Sequence, residues 1–145
     1  AITEAAAKEL LTKAPDFDVI VTAESKGIPL AYEMARLSGG KDYVVFRKAA
    51  KLYMQNIIET SVDSITTDHV QTLCIGEKEA SLIKGRRVLI VDDVISTGGS
   101  LKALMELADK AGAAVIAKAA ILAEGDAAKR DDIIFLETLP LFEAE

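Results

Sequence analysis

The sequence predicts a single three-layer α/β/α domain, over residues 1–145, that is built on a mainly parallel sheet. Short apolar runs alternate with helix-like segments, which is the pattern of successive β-α-β units. The apolar run 88–91 is rich in β-branched residues, as expected for a central strand with both faces buried. Half of the 145 residues are apolar, which suits one domain with a substantial core.

Composition and charge exclude several classes of protein. The net charge of −6 argues against a general nucleic-acid binder. The single cysteine, Cys74, cannot form an internal disulfide and fits a reducing compartment. Neither a signal peptide nor an apolar run of membrane-spanning length occurs in the sequence. We therefore expect a cytoplasmic protein that binds neither nucleic acid nor a membrane.

The first third of the chain predicts two parallel strands joined by a right-handed crossover. Four segments follow one another here: a helix over residues 2–13, a strand over 18–23, a helix over 28–37 and a strand over 43–46. Pro15 helps to end the first helix, and a pair of glycines ends the second.

The middle of the chain, residues 52–76, changes to a β-rich pattern. Residues 57–65 and 70–75 predict two antiparallel strands, and the polar residues 66–69 predict the turn between them. We expect a mobile ribbon that adds an antiparallel edge strand to the sheet.

The last part of the chain returns to alternating strands and helices. The pattern predicts a helix over residues 77–83, the central strand, a helix over 99–111, a strand over 114–122, a helical turn over 126–130 and a strand over 133–136. Strands 18–23 and 88–91 should lie side by side, with their helices on opposite faces of the sheet. Such a reversal is a topological switch point, where open α/β sheets bind ligands.

The segment after the central strand carries the clearest chemical signal. Asp92 and Asp93 come first, and a loop of hydroxyl and glycine residues then leads into a helix. Backbone N–H groups at a helix N-terminus bind anions, and glycines allow a phosphate to approach closely. Carboxylates suit hydroxyl groups, a metal ion or developing positive charge. The combination predicts a sugar phosphate as ligand, with an ordinary strand–turn–helix junction as the alternative.

Residues 91–100, Val-Asp-Asp-Val-Ile-Ser-Thr-Gly-Gly-Ser, resemble the phosphoribosyl pyrophosphate (PRPP) motif of type I phosphoribosyltransferases. The resemblance implies the type I phosphoribosyltransferase fold. It also implies that Asp92 and Asp93 are catalytic residues that hold the ribose hydroxyls. The loop implied to bind the 5′-phosphate consists of Ser96, Thr97, Gly98, Gly99 and Ser100.

A polar turn follows the first strand as the phosphate loop follows the central one. It consists of Glu24, Ser25, Lys26 and Gly27. The resemblance implies that this turn binds pyrophosphate through its backbone and Lys26, and that the Glu24–Ser25 peptide is cis. Without the other motifs, an ordinary polar turn between a strand and a helix is the favoured explanation of these residues.

Three cations, Arg47, Lys48 and Lys51, lie close together at the end of the second strand in an otherwise acidic protein. Cationic donors of this kind hold diphosphates strongly, although a solvated charged face is the alternative. The segment resembles the Arg-Lys-x-Gly-Lys-Leu-Pro stretch of adenine phosphoribosyltransferases, with Ala50 and Tyr53 as departures. In that family the stretch reaches the pyrophosphate of the neighbouring subunit, which implies a homodimer.

The resemblance implies a Mg²⁺-dependent enzyme that transfers the phosphoribosyl group from PRPP to a purine base. The Mg²⁺ ion would be held mainly by PRPP itself, so we expect no direct metal ligand from the protein. Adenine is favoured, because Glu124 is followed by Gly125 and Asp126, where 6-oxopurine enzymes carry a lysine.

Two alternatives to the adenine enzyme stay open. The ribbon resembles that of xanthine phosphoribosyltransferases, so an enzyme that acts on xanthine or guanine is one alternative. The family's N-terminal hood over the base is not recognisable in the sequence, which leaves a non-catalytic module that senses PRPP as the other alternative. A turnover assay distinguishes these alternatives.

Overall fold

The computed structural model describes residues 2–63 and 70–139 and contains a five-stranded parallel sheet between two layers of helices. In chain order its elements are α1 (Ile2–Lys13), β1 (Val19–Ala23), α2 (Ile28–Leu37), β2 (Asp42–Phe46), β3 (Ile58–Asp63), β4 (Val70–Ile75), α3 (Glu77–Ile83), β5 (Arg87–Ile95), α4 (Gly99–Lys110), β6 (Ala114–Glu124) and β7 (Ile134–Leu139). A 3₁₀-helix, Gly125–Lys129, joins β6 to β7. The predicted three-layer fold is confirmed.

The strand order of the main sheet is β2-β1-β5-β6-β7, so β1 and β5 are neighbours as the sequence predicts. Alternate side chains of these strands face opposite layers, because successive residues of a strand point to opposite faces. Ile20 and Leu89 pack with α1 and α2, whereas Val21 and Ile90 pack with α4. The helices after β1 and β5 therefore lie on opposite faces, and the switch point is present.

Strand β5 is longer than the apolar run predicts. It continues through Asp92 and Asp93 to Ile95, because β6 extends alongside it and pairs Ile95 with Ala123. The acidic pair therefore belongs to the last residues of a paired strand rather than to a free turn. This fixes the backbone that carries both carboxylates.

The ribbon forms a two-stranded antiparallel sheet of its own, made of β3 and β4. It joins the main sheet by one antiparallel bridge, in which the Arg47 and Cys74 backbones exchange hydrogen bonds of 3.0 and 2.8 Å. Leu73 and Ile75 pack into the same core as α4. The predicted turn at residues 66–69 lies outside the described residues, so the ribbon's mobility stays a prediction.

Candidate active site

The turn after β1 packs directly against the acidic pair of β5. Gly27 has no room for a side chain: a Cβ there would lie 3.4 Å from the Asp92 Cα, 3.3 Å from Asp92 Oδ1 and in collision with the Thr22 hydroxyl. Thr22 is fully buried, and its hydroxyl has no hydrogen-bond partner among the described residues. Glycine at position 27 thus brings the predicted pyrophosphate turn and the predicted catalytic pair into contact.

The predicted cis peptide is present between Glu24 and Ser25. The turn is fastened to the end of β2, because the Glu24 N–H donates to the Phe46 carbonyl at 2.9 Å. Ser25 and Lys26 are exposed, so Lys26 is accessible to a ligand at this end of the sheet.

The Glu24 carboxylate connects this turn to the basic segment, which we define as Arg47, Lys48 and Lys51. The Lys48 N–H donates to Glu24 Oε1 at 3.1 Å, and Arg47 Nη1 and Lys51 Nζ each lie 3.7 Å from Oε2. The Lys48 N–H lowers the pKa of Glu24 most, and the charges of Lys51 and Arg47 add to it. The structure therefore brings together both sets of residues predicted to bind pyrophosphate, with Glu24 organising the cations.

The acidic pair uses one oxygen of each carboxylate for the backbone. Asp92 Oδ1 accepts the Asp93 N–H at 2.8 Å, and Asp93 Oδ1 accepts the Val94 N–H at 2.9 Å. Among the described residues, no backbone N–H donates to the second oxygen of either carboxylate, so these oxygens can accept hydroxyl groups of a ligand. Burial, followed by the neighbouring Asp93, raises the pKa of Asp92 to about 7, and the charge of Lys48 opposes this shift.

We expect Asp92 to make the protein less stable as the pH rises between about 4 and 7. Its pKa is about 7 in the folded protein against a usual value of 3.8, so the folded state binds the proton more tightly than the unfolded state. Protonation therefore stabilises the fold, and this contribution is lost as the carboxyl ionises. Asp92→Asn should flatten the fall in Tm across this pH window, measured by circular dichroism. The exposed Asp109→Asn variant is the control, and an unchanged pH profile in Asp92→Asn would contradict the assignment.

The phosphate loop borders the acidic pair. A cavity of about 160 Å³ is lined by Asp92, Val94, Ile95 and residues 96–101. Gly98 has a φ of +87°, a left-handed conformation that favours glycine, and caps the start of α4. The cavity thus connects the predicted 5′-phosphate loop with Asp92, so a ribose phosphate could place its phosphate in the loop and its hydroxyl groups at Asp92.

Ser96 differs from the other loop residues in one respect. Its hydroxyl donates to Glu124 Oε1 at 2.8 Å, which ties the loop to the end of β6. The Ser96 hydroxyl is therefore engaged with the protein, and its backbone N–H is the group left for a phosphate.

Comparison with known proteins agrees with this geometry. Residues 1–143 match the family described as the phosphoribosyl transferase domain. The chain belongs to this family.

Curated relatives and solved structures are similar to this phosphoribosyl transferase domain. The adenine phosphoribosyltransferase of Thermotoga petrophila is 38% identical over 104 residues, which is 72% of this chain and 58% of that protein. The enzyme of the same name from Bifidobacterium longum is 39% identical over 119 residues, 77% of this chain and 55% of its own length. The structure of adenine phosphoribosyltransferase from Saccharomyces cerevisiae superposes with a TM-score of 0.74 at 27% identity, covering 92% of this chain and 76% of that one. The chain thus spans little more than half the length of these two curated relatives.

Two further properties of the phosphoribosyl transferase domain concern metals and membranes. In residues 2–63 and 70–139, no three His, Cys, Asp or Glu side chains cluster in a way that could hold a metal ion. None of the helices described for the chain has the length and apolar character needed to cross a bilayer.

Two side chains lie next to the phosphate loop in a way the sequence did not predict: Glu124, considered there only for the choice of base, and Arg130. Glu124 bonds Ser96, and Arg130 Nη1 lies 3.2 Å from the position a Gly98 Cβ would occupy. Neither lies in a motif next to the loop in sequence. The parallel pairing of β5 with β6 brings Glu124 there, and the 3₁₀-helix that follows β6 brings Arg130.

Proposed function

We propose that this domain transfers the 5-phosphoribosyl group from PRPP to adenine, in a Mg²⁺-dependent, homodimeric enzyme of purine salvage. The contact of Gly27 with Asp92 carries the proposal, because the turn predicted to bind pyrophosphate and the loop predicted to bind phosphate both border the acidic pair. The curated relatives named adenine phosphoribosyltransferase support this activity. The Saccharomyces cerevisiae structure contains adenine and an imino-altritol bisphosphate, which supports a purine and a phosphorylated ring as ligands.

The acidic pair orients the ribose in this proposal. Asp92 and Asp93 each offer one carboxylate oxygen that no backbone N–H occupies, and these oxygens accept the ribose hydroxyls. Breaking the bond to pyrophosphate leaves positive charge on the ribose ring. Ionised carboxylates held on a paired strand stabilise that charge without having to reorganise.

The basic segment binds the leaving group. Arg47 Nη1 and Lys51 Nζ each lie 3.7 Å from Glu24 Oε2, which is longer than a hydrogen bond, so this carboxylate compensates their charges only in part. A diphosphate offers stronger acceptors and more charge than one carboxylate. Mg²⁺ would enter bound mainly to PRPP and would neutralise charge on the departing pyrophosphate.

The end of β6 favours adenine over a 6-oxopurine. Glu124 presents a carboxylate acceptor there, and an acceptor suits the hydrogens of a 6-amino group. The nearest following lysine, Lys129, is exposed and lies 3.6 Å from Asp126, with which it pairs. A 6-oxo group would need a donor, and the side chains described at positions 124–126 offer none. An unpaired polar group lowers the rate strongly.

Steady-state rates with PRPP and adenine, guanine, hypoxanthine or xanthine test the proposal. We expect the highest kcat/KM with adenine, and loss of the activity when Mg²⁺ is chelated. A preference for xanthine or guanine would show that the substrate is a 6-oxopurine rather than adenine. Calorimetric binding of PRPP without turnover of any base would indicate the non-catalytic sensing module instead.

Neutralising the basic segment should weaken pyrophosphate binding selectively. In the Arg47→Ala/Lys51→Ala variant we expect the Kd for Mg-pyrophosphate to rise about tenfold or more, while the Kd for AMP changes much less. Isothermal titration with both ligands measures this. The Lys8→Ala/Lys13→Ala variant on α1 changes the net charge equally and should bind both ligands as the wild type does. Equal losses of affinity for both ligands would show that the basic segment acts only through its overall electrostatic field.

A further inference from the structure

Arg130 is held in a fixed orientation beside the phosphate loop. Its Nε donates to Asp132 Oδ1 at 2.8 Å and its Nη2 to Oδ2 at 2.6 Å. Lys118 also donates to Asp132 Oδ2, at 3.1 Å, and the Lys118 side chain is only 16% exposed. A bidentate pair of this kind fixes the plane of the guanidinium as well as its position.

The third guanidinium nitrogen faces the loop. Arg130 Nη1 lies 3.2 Å from the position a Gly98 Cβ would take, so it occupies the side-chain space of the left-handed residue that caps α4. Among the described residues no carboxylate or carbonyl accepts a hydrogen bond from Nη1. The bidentate pair with Asp132, which we call the clamp, therefore directs the unbonded Nη1 donor towards the loop.

Asp132 raises the pKa of Arg130 and so stabilises its charge, whereas the start of α4 favours an anion rather than a cation. The start of a helix is its positive end, and a cation there raises the free energy. The first turn of α4 contains no acidic residue, and it carries Lys102. Asp132 compensates Arg130 from the far side only. A phosphate monoester in the loop would reverse the sign of the interaction, because it adds up to about two negative charges.

Arg130 lies on the outer side of the loop, away from the cavity next to Asp92. It lines a cavity of about 370 Å³ together with the loop residues 97–99, Lys102 and the acidic residue Glu106, whereas the 160 Å³ cavity next to Asp92 does not include it. We infer that Arg130 is a positioning residue for the 5′-phosphate: it supports the Gly98 backbone from outside and places a positive charge behind the bound phosphate. This inference rests on the proposed function and adds a residue to its site.

Arg130→Gln tests the inference by titration with ribose 5-phosphate and, separately, with Mg-pyrophosphate. We expect the Kd for ribose 5-phosphate to rise about fivefold, in line with the loss of one charge near a helix terminus, and the Kd for pyrophosphate to stay within about twofold. Lys129→Gln is the matched control, since it removes the adjacent, 83% exposed cation and should leave both affinities unchanged. Asp132→Asn should weaken ribose 5-phosphate binding in the same direction, because it loosens the clamp.

The ionisation of the ligand separates an electrostatic role from a purely structural one. The phosphate monoester changes from one to two negative charges near pH 6, so the ratio of the Arg130→Gln Kd to the wild-type Kd should be larger at about pH 8 than at about pH 5. Titration of Asp92 affects both proteins and cancels in this ratio. A ratio near one, a ratio independent of pH, or equal losses for ribose 5-phosphate and pyrophosphate would overturn the inference. Failure of the wild type to bind ribose 5-phosphate would instead overturn the proposed function and this inference with it.

Discussion

Asp92→Asn and Asp93→Asn are each expected to lower Mg-PRPP affinity or turnover by about tenfold or more, which is ~1.4 kcal/mol. Each carboxylate already gives one oxygen to the backbone N–H of the following residue, at 2.8 and 2.9 Å. An asparagine has a single oxygen, and that oxygen would stay on the backbone N–H. Its NH₂ group would then face the ribose, where a hydroxyl acceptor is needed.

The loss of charge adds to the loss of an acceptor. A neutral amide cannot stabilise positive charge that develops on the ribose ring, so turnover should fall further than PRPP binding. The loss caused by Asp92→Asn should shrink below about pH 7, because Asp92 itself becomes neutral there.

Calorimetric titration with Mg-PRPP and initial rates with adenine measure both effects. Asp109→Asn, on the exposed face of α4, is the control for removal of one negative charge and should behave as the wild type. Circular dichroism checks that each variant is folded. Wild-type affinity and wild-type turnover in both Asp92→Asn and Asp93→Asn would disprove the assignment of the acidic pair.

Gly27→Ala is expected to reduce PRPP affinity by about tenfold or more and to lower the free energy of unfolding by about 1–3 kcal/mol. The new Cβ would collide with the Thr22 hydroxyl and press on Asp92, 3.4 Å from its Cα. Thr22 is fully buried within β1, and Asp92 lies on the paired strand β5, so neither can move aside. The turn itself would have to shift away from the acidic pair.

A second substitution makes this prediction specific. Thr22→Ala removes the atom that the new Cβ meets first, so Gly27→Ala/Thr22→Ala should recover part of both the stability and the affinity. Thr22→Ala alone should cost less than Gly27→Ala, because the Thr22 hydroxyl makes no hydrogen bond among the described residues. Thermal melts and PRPP titrations of the three variants form a double-mutant cycle.

A glycine elsewhere in the fold provides the control. Gly39 has a φ of +90°, and a Cβ added there would meet nothing within 4 Å, so Gly39→Ala strains the backbone without any collision. It should lower stability and leave PRPP affinity unchanged. If Gly27→Ala binds PRPP as tightly as the wild type does, the contact between the turn and Asp92 does not matter for binding.

The amino-acid sequence by itself determined the order of helices and strands and the neighbouring positions of β1 and β5. Apolar periodicity and the turn residues are local properties, and the rules for connecting parallel strands leave few arrangements of such elements. The acidic pair and the loop after it could be located as a candidate site from the sequence, because their residues are consecutive. Even the cis peptide at Glu24 followed from resemblance over a short segment.

The tertiary structure alone decided which distant residues meet at this site. Glu24 contacts the basic segment, Thr22 lies beneath Gly27 beside Asp92, and Arg130 lies beside Gly98. The length of β5 belongs here too, since it depends on how far β6 runs alongside it. These contacts join residues that lie far apart along the chain or on different strands. They depend on strand register and on the space left between packed side chains, and no local pattern encodes either of these.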